Sequence, residues 1–268
     1  MNDLQAVQLD MLKIFWEICE RLELHPYLIG GSALGAVKYR GFVPWDDDVD
    51  VALIRPEYER FLQEAPALLP DALFLQNART DPAFAQLYSK LRKNATSFVE
   101  ERAAHLPIHH GVFIDLFPLD SMPSGRLAAW KALTRVRLCR IRLLCVFGAG
   151  DRRKERLLRR IGRMLGWHRH TERCIRRTEA AIIQTPFSCT GRWCCYGNWR
   201  VRSDCAPAAQ YGEGAPAVFE GLQVRIPTQY EAYLSQRYGN WRADLPPEQK
   251  HGRRAQIDLR SDHWWRKP

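Results

Sequence analysis

Long apolar runs are missing from this chain. The longest, "LLCVFGAG" at 143–150, is far short of the roughly 20 residues a membrane-crossing helix needs. The N-terminus has no basic lead-in and no uninterrupted apolar core, so it does not read as a secretory signal. Its apolar positions, Leu4, Val7, Met11, Ile14, Phe15, Ile18 and Leu22, instead fall at helical spacing and predict an amphipathic first helix. These absences lead to the expectation of a cytoplasmic protein, with a peripheral position at the inner face of the membrane as its only membrane contact. Low-complexity segments and internal repeats are also missing.

Paired C-x2-C spacing is absent as well. Four of the eight cysteines, Cys189, Cys194, Cys195 and Cys205, cluster as C-x4-CC-x9-C, which is not the arrangement of a zinc ribbon. In a cytosolic setting they read as ordinary buried thiols rather than disulfides, with a structural Zn²⁺ as the alternative.

Acids are scarce in one place. Residues 126–177 carry 17 Lys/Arg against three acids, Asp151, Glu155 and Glu172, within a chain of net charge +10. The rest of the chain is therefore mildly acidic, and no recognised nucleic-acid-binding motif accompanies the basic segment. Nucleic acid is accordingly not an expected partner. Trp130, Leu133, Leu138, Ile141, Leu144 and Phe147 stand among the arginines. The segment reads either as a solvated helical face or as a surface for an anionic partner, a lipid headgroup or a phosphorylated glycan.

What the chain does have is enough apolar residue, 46 %, for a sizeable core. Strand-like "YLIGG" precedes "SALGAVKY", a short helix with Ser32 placed to cap it. "DVDVALI" alternates as a strand, and Pro56 opens a helix at "PEYERFLQEA". "ALFLQN", "AQLYSKLR", "ATSFVE" and "GVFIDLFPL" read as further strands. The pattern predicts an α/β (α+β) core with a mixed sheet over residues 1–122, a basic helical insertion over 123–185, and a Cys/Trp-rich loop with a C-terminal helix over 186–268 completing the catalytic domain.

The acids of "PWDDDVD" raise the chemical question. Asp46, Asp47, Asp48 and Asp50 crowd five positions. On a strand, Asp48 and Asp50 face the same side while Val49 enters the core. Carboxylates that close together raise one another's pKa unless a cation neutralises them. A hard, oxygen-seeking Mg²⁺ or Mn²⁺ suits the pair. Asp115, the lone acid of an apolar run at 112–118, supplies a third carboxylate whose burial demands a partner. Gly30, Gly31 and Ser32, between strand and helix, are placed to seat a phosphate. A strand, Gly-Gly-Ser, a helix, Asp-x-Asp and a later strand Asp, in that order, form the pattern of the nucleotidyltransferase superfamily.

The match narrows. "GGSALGAVKYRGFVPWDDDVD", "SKLRKNATSF", "GVFIDLFPLD" and "FEGLQVRIPTQYEAYLSQRYGNWRADLPPEQK" (219–250) together resemble the LicD family, over about residues 10–122 and 215–251. That family includes bacterial choline-phosphate transferases and, more distantly, fukutin and fukutin-related protein. The resemblance implies a nucleotidyltransferase-like fold and metal-dependent transfer of a phospho-alcohol, choline or polyol phosphate, from a CDP-activated donor. The acceptor it implies is a hydroxyl of a cell-surface glycan such as lipopolysaccharide or teichoic acid.

Carried over by position, it assigns donor phosphate to Gly30, Gly31 and Ser32 and metal to Asp48, Asp50 and Asp115. Lys90 and Arg92, alternating on "SKLRK", are candidates to clamp the diphosphate, or else two solvated strand residues. Asp46 and Asp47 would orient the ligands, and Asp46 could itself reach the metal. Trp45 stacks on a ligand or simply packs, and Asp120 closes a turn. His251 stands near a family histidine but equally reads as a surface residue, while adjacent His109 and His110 face opposite ways and make a poor metal pair.

Two alternatives stay open. One is a nucleotidyltransferase moving a nucleoside monophosphate from a triphosphate to a small-molecule or sugar hydroxyl. The other is a non-catalytic basic membrane- or glycan-binding protein, against which the buried acids argue. The residues name neither the alcohol, the acceptor, nor the oligomeric state.

Overall fold

The first helix shows how the core is organised. Asn2 caps α1 (Asp3–Arg21) in a reciprocal box with Gln5, and Leu9, Met11, Leu12, Phe15, Ile18 and Cys19 bury one side of it. The computed structural model describes residues 1–146, 153–188, 191–197, 205–246, 248, 250, 252 and 255–262. After α1 come β1 (Tyr27–Leu28), α2 (Gly30–Tyr39), β2 (Asp50–Ile54), α3 (Arg55–Glu64), β3 (Leu73–Gln76), β4 (Ser89–Lys93), β5 (Ser97–Glu100) and β6 (Phe113–Ser121). The basic segment folds as α4 (Arg126–Val146), α5 (Arg153–Met164) and α6 (Thr171–Ile183). The remainder is β7 (Arg192–Cys194), β8 (Cys205–Pro207), α7 (Ala208–Tyr211), β9 (Ala215–Phe219), β10 (Leu222–Ile226), α8 (Tyr230–Tyr238) and β11 (Ala255–Asp258).

The architecture is mixed α/β. The main sheet runs β1-β2-β6-β4-β3, with β7 and then β8 attached through β6. Among the described residues of this sheet only the β2–β6 pair is parallel, and the other pairs are antiparallel. β6 is central and buried at all nine positions, which explains its nearly continuous apolar sequence. A second, smaller core joins the helical segment to the rest of the fold: Val136, Cys139 and Leu143 of α4 and Ile175 and Ile182 of α6 pack in one cluster with Leu87, Cys194, Tyr196 and Cys205.

Several expectations need correction. Ser32 does not cap α2; Ile29 is the cap residue, and Ser32 lies inside the first turn. Among the described residues of 186–268, the expected Cys/Trp-rich loop holds strands β7 to β10, and β11 near the end pairs with β5. Asp120 is not a turn residue. It is buried in β6 and takes a two-pronged ion pair from Arg55, at 2.6 and 2.9 Å.

The cysteine reading also changes. Cys194 and Cys205 are register partners on β7 and β8 and are joined as a disulfide. That removes two of the four thiols a zinc site would need. Cys195 is buried and outside the disulfide, and Cys189 lies outside the described residues.

Candidate active site

Parallel pairing of β2 with β6 sets Asp50 directly opposite Asp115. The Asp115 N–H donates to the Val49 carbonyl at 2.8 Å, locking the loop before β2 against β6. Asp48 stands just before the strand rather than on it. Even so, Asp48, Asp50 and Asp115 each bring a carboxylate oxygen within 4.8 Å of the other two. Asp46, Asp47 and Asp48 form a second such group, so Asp48 belongs to both.

Three carboxylates at that range repel strongly unless compensated. Part of the compensation is in place. Lys90, the register partner of Asp115 on β4, sets its ammonium 2.6 Å from Asp115 Oδ1, with both side chains 3 % exposed. The remaining donors are all hard oxygens, the set that a divalent cation of the Mg²⁺ class prefers.

The glycines make room for these acids. A β-carbon on Gly30 would fall 2.6 Å from Asp50 Oδ2, and one on Gly31 would fall 2.5 Å from Asp46 Oδ2. Gly30 also has φ +57°, which disfavours other residues. Its N–H donates to the Tyr233 hydroxyl at 3.0 Å. Ser32 Oγ accepts the Asp50 N–H at 2.9 Å, fixing the start of β2. The Gly-Gly-Ser turn is thus closely tied to the carboxylates it was expected to accompany.

The two cations of "SKLRK" take different places. Lys90 joins the acid cluster. Arg92 has protein partners: its Nε donates to Gln76 at 2.7 Å and its Nη1 to the Gly111 carbonyl at 2.7 Å. Burial leaves it 2 % exposed and pushes its pKa down to about 10. The solvated-strand alternative fails for both residues as well. Trp45 packs edge-on to Tyr39, and the Lys250 ammonium lies 4.9 Å from its ring centre. Gly252 approaches Asp47 so closely that a β-carbon there would lie 2.8 Å from Asp47 Oδ2. His251 lies outside the described residues. His109 stacks on Phe74, and His110, held below its ordinary pKa chiefly by burial, bonds to the Leu106 carbonyl.

Four residues that matter here escape the sequence reading. Gln5 Nε2 donates to the Asp46 carbonyl at 3.0 Å, and Gln8 Nε2 donates to those of Asp47 and Phe113 at 2.8 and 3.2 Å. The acidic loop is therefore hung from α1 by its backbone. From α8 come Tyr233, which meets Gly30, and Arg237, whose Nη2 is 3.4 Å from where a Gly30 β-carbon would lie. The Gln pair carried a signal: both fall on the apolar side of α1, where a solvated amide would be out of place.

A mixed sheet with carboxylates on adjacent parallel strands, beside a strand–glycine–helix turn, defines a nucleotidyltransferase-like domain. Residues 24–127 match the family described as LicD/FKTN/FKRP, nucleotidyltransferase domain. Its similarity to one relative runs almost end to end. It is 25 % identical over 260 residues to "Lipopolysaccharide cholinephosphotransferase LicD" of Haemophilus influenzae, covering 93 % of each chain. Among the described residues no helix is long and apolar enough to cross a membrane.

Proposed function

We propose that this protein is a phosphotransferase that moves a phospho-alcohol, choline phosphate or a polyol phosphate, from a CDP-activated donor to a hydroxyl of a cell-surface glycan. The observation that carries the reading is the convergence of Asp48, Asp50 and Asp115 within 4.8 Å at the start of two parallel strands. The relative's name supports a lipopolysaccharide-type acceptor.

In this reading Asp48, Asp50 and Asp115 hold Mg²⁺ or Mn²⁺, with Asp46 and Asp47 on the flanking side. The ion would screen the donor diphosphate and stabilise charge on the departing CMP. Asp115, fixed by its ion pair with Lys90, orients the acceptor hydroxyl and receives its proton. Gly31 and Ser32 at the start of α2 lie where donor phosphate approaches, and Arg237 contributes positive charge from α8. The catalytic domain combines residues 1–122 with 186–268, interrupted by the helical insertion at 123–185. Pairing of β7 with β6 and the Tyr233–Gly30 bond support that division.

The test is incubation with Mg²⁺ and a panel of CDP-alcohols plus lipopolysaccharide or teichoic-acid acceptors, monitoring nucleotide products. CMP release that depends on metal and donor supports the reading. Diphosphate release from a nucleoside triphosphate would replace it with nucleotidyl transfer, and no turnover with any donor would overturn it.

A further inference from the structure

The basic insertion exposes apolar side chains that a solvated helix would hide. On α5, Leu157, Ile161 and Met164 are 61, 44 and 81 % exposed, and Leu165, the residue after it, whose N–H still bonds to the Ile161 carbonyl, is 61 % exposed. Their spacing, i, i+4, i+7 and i+8, puts them on one face. The helix is attached by another side: a β-carbon on Gly162 would meet Cys145 Sγ of α4 at 2.4 Å, so α5 lies tight against α4 there. Its apolar stripe is consequently turned away from its own core.

Charge borders that stripe. Arg156, Arg160 and Arg163 are exposed and project from the sector of α5 next to the apolar one. Among the described residues none of these three forms an ion pair. The outer side of α4 repeats the composition, with Leu127, Trp130 and Leu138 exposed by 60 % or more beside exposed Lys131, Arg135 and Arg137.

An apolar stripe flanked by arginines suits neither free solvent nor a neutral protein surface. It suits a boundary where hydrocarbon lies on one side and negative headgroups on the other. We infer that the exposed apolar stripe of α5 and its bordering arginines dock on the surface of an anionic lipid bilayer, the apolar residues in the headgroup–acyl boundary and the arginines on phosphate. The inference goes beyond the transferase reading and does not rest on it.

Co-sedimentation of the full chain with vesicles of phosphatidylglycerol and phosphatidylcholine, against pure phosphatidylcholine, tests it. Binding to the anionic vesicles is expected to be at least tenfold stronger, and to fall as salt screens the headgroups. Each arginine removed, in Arg156→Ala, Arg160→Ala and Arg163→Ala, should weaken partitioning about fivefold. The Leu157→Ser/Ile161→Ser variant should lose binding, with its helical circular dichroism and its release of CMP in solution unchanged. Equal binding to both vesicle types, or undiminished binding of the Ser variant, would overturn the inference. So would sedimentation velocity showing a dimer that the Ser variant dissolves, because a second copy would then cover the stripe.

Discussion

Gly30 and Asp50 fit together only because Gly30 has no side chain: Asp50 Oδ2 lies 2.6 Å from where its β-carbon would be, at a backbone φ of +57°. The glycine is selected by the acid as much as by any ligand. Gly30→Ala must both strain the backbone, by about 1–2 kcal/mol for a left-handed non-glycine residue, and displace the carboxylate. Turnover is expected to fall at least a hundredfold while the melting temperature drops by several degrees. Activity near wild type would show that the carboxylate position is not critical.

Asp48→Asn and Asp50→Asn remove charge without changing shape. Metal-dependent CMP release should drop at least a hundredfold, with melting temperature unchanged or raised because mutual repulsion is relieved. Retained turnover in both variants would sink the proposed mechanism.

The Lys90–Asp115 pair behaves differently, since each partner buries a charge that the other compensates. Asp115→Asn leaves the ammonium without its carboxylate and is expected to cost about 3–5 kcal/mol. Lys90→Met combined with Asp115→Leu should recover most of that stability and none of the activity. Urea titration of the three variants, beside the CMP assay, separates the two effects.

Gln8 holds two carbonyls at once, those of Asp47 and Phe113. Gln8→Leu preserves volume but leaves both acceptors buried, at a cost of about 1–3 kcal/mol for each one that goes unsatisfied. The acidic loop should loosen, raising the metal concentration needed for half-maximal turnover more than it changes stability. Titration of activity with Mg²⁺ reads this directly.

Glu179 of α6 gives a pH dependence. Burial raises its pKa from 4.5 to about 7, with Glu59 and Asp120 adding to the rise against Arg55 and Arg79. A carboxyl with a raised folded pKa binds more protons folded than unfolded, so its contribution to stability declines as pH climbs from about 4.5 to about 7. Glu179→Gln should therefore raise the melting temperature more at pH 8 than at pH 5. Scanning calorimetry at the two values checks the sign.

The strands and first helix were legible because apolar periodicity is a local property. Asp48, Asp50 and Asp115 stood out because carboxylates interrupting apolar strands have few other reasons to be there. Arg92 was readable in direction but not in destination: alternation puts it beside Lys90, whereas the Gln76 and Gly111 acceptors come from other parts of the chain. Gln5 and Gln8 sit on the apolar side of α1, but the carbonyls they serve lie 38 or more residues away and no local pattern names them. The Cys194–Cys205 bond needs the β7–β8 register, and β11 needs its β5 partner, neither of which any local pattern displays. The role of α8 needs the same kind of long-range knowledge, since Tyr233 and Gly30 are 203 residues apart.

That last separation has a consequence in time. A ribosome threads out Gly30, Asp50 and Asp115 long before Tyr233 and Arg237 exist. A nascent chain can gather its acids yet still lack the hydroxyl that receives the Gly30 N–H and the guanidinium beside it. The constellation becomes whole only once α8 has emerged, so any product cut short before α8 is an acid cluster without its clasp.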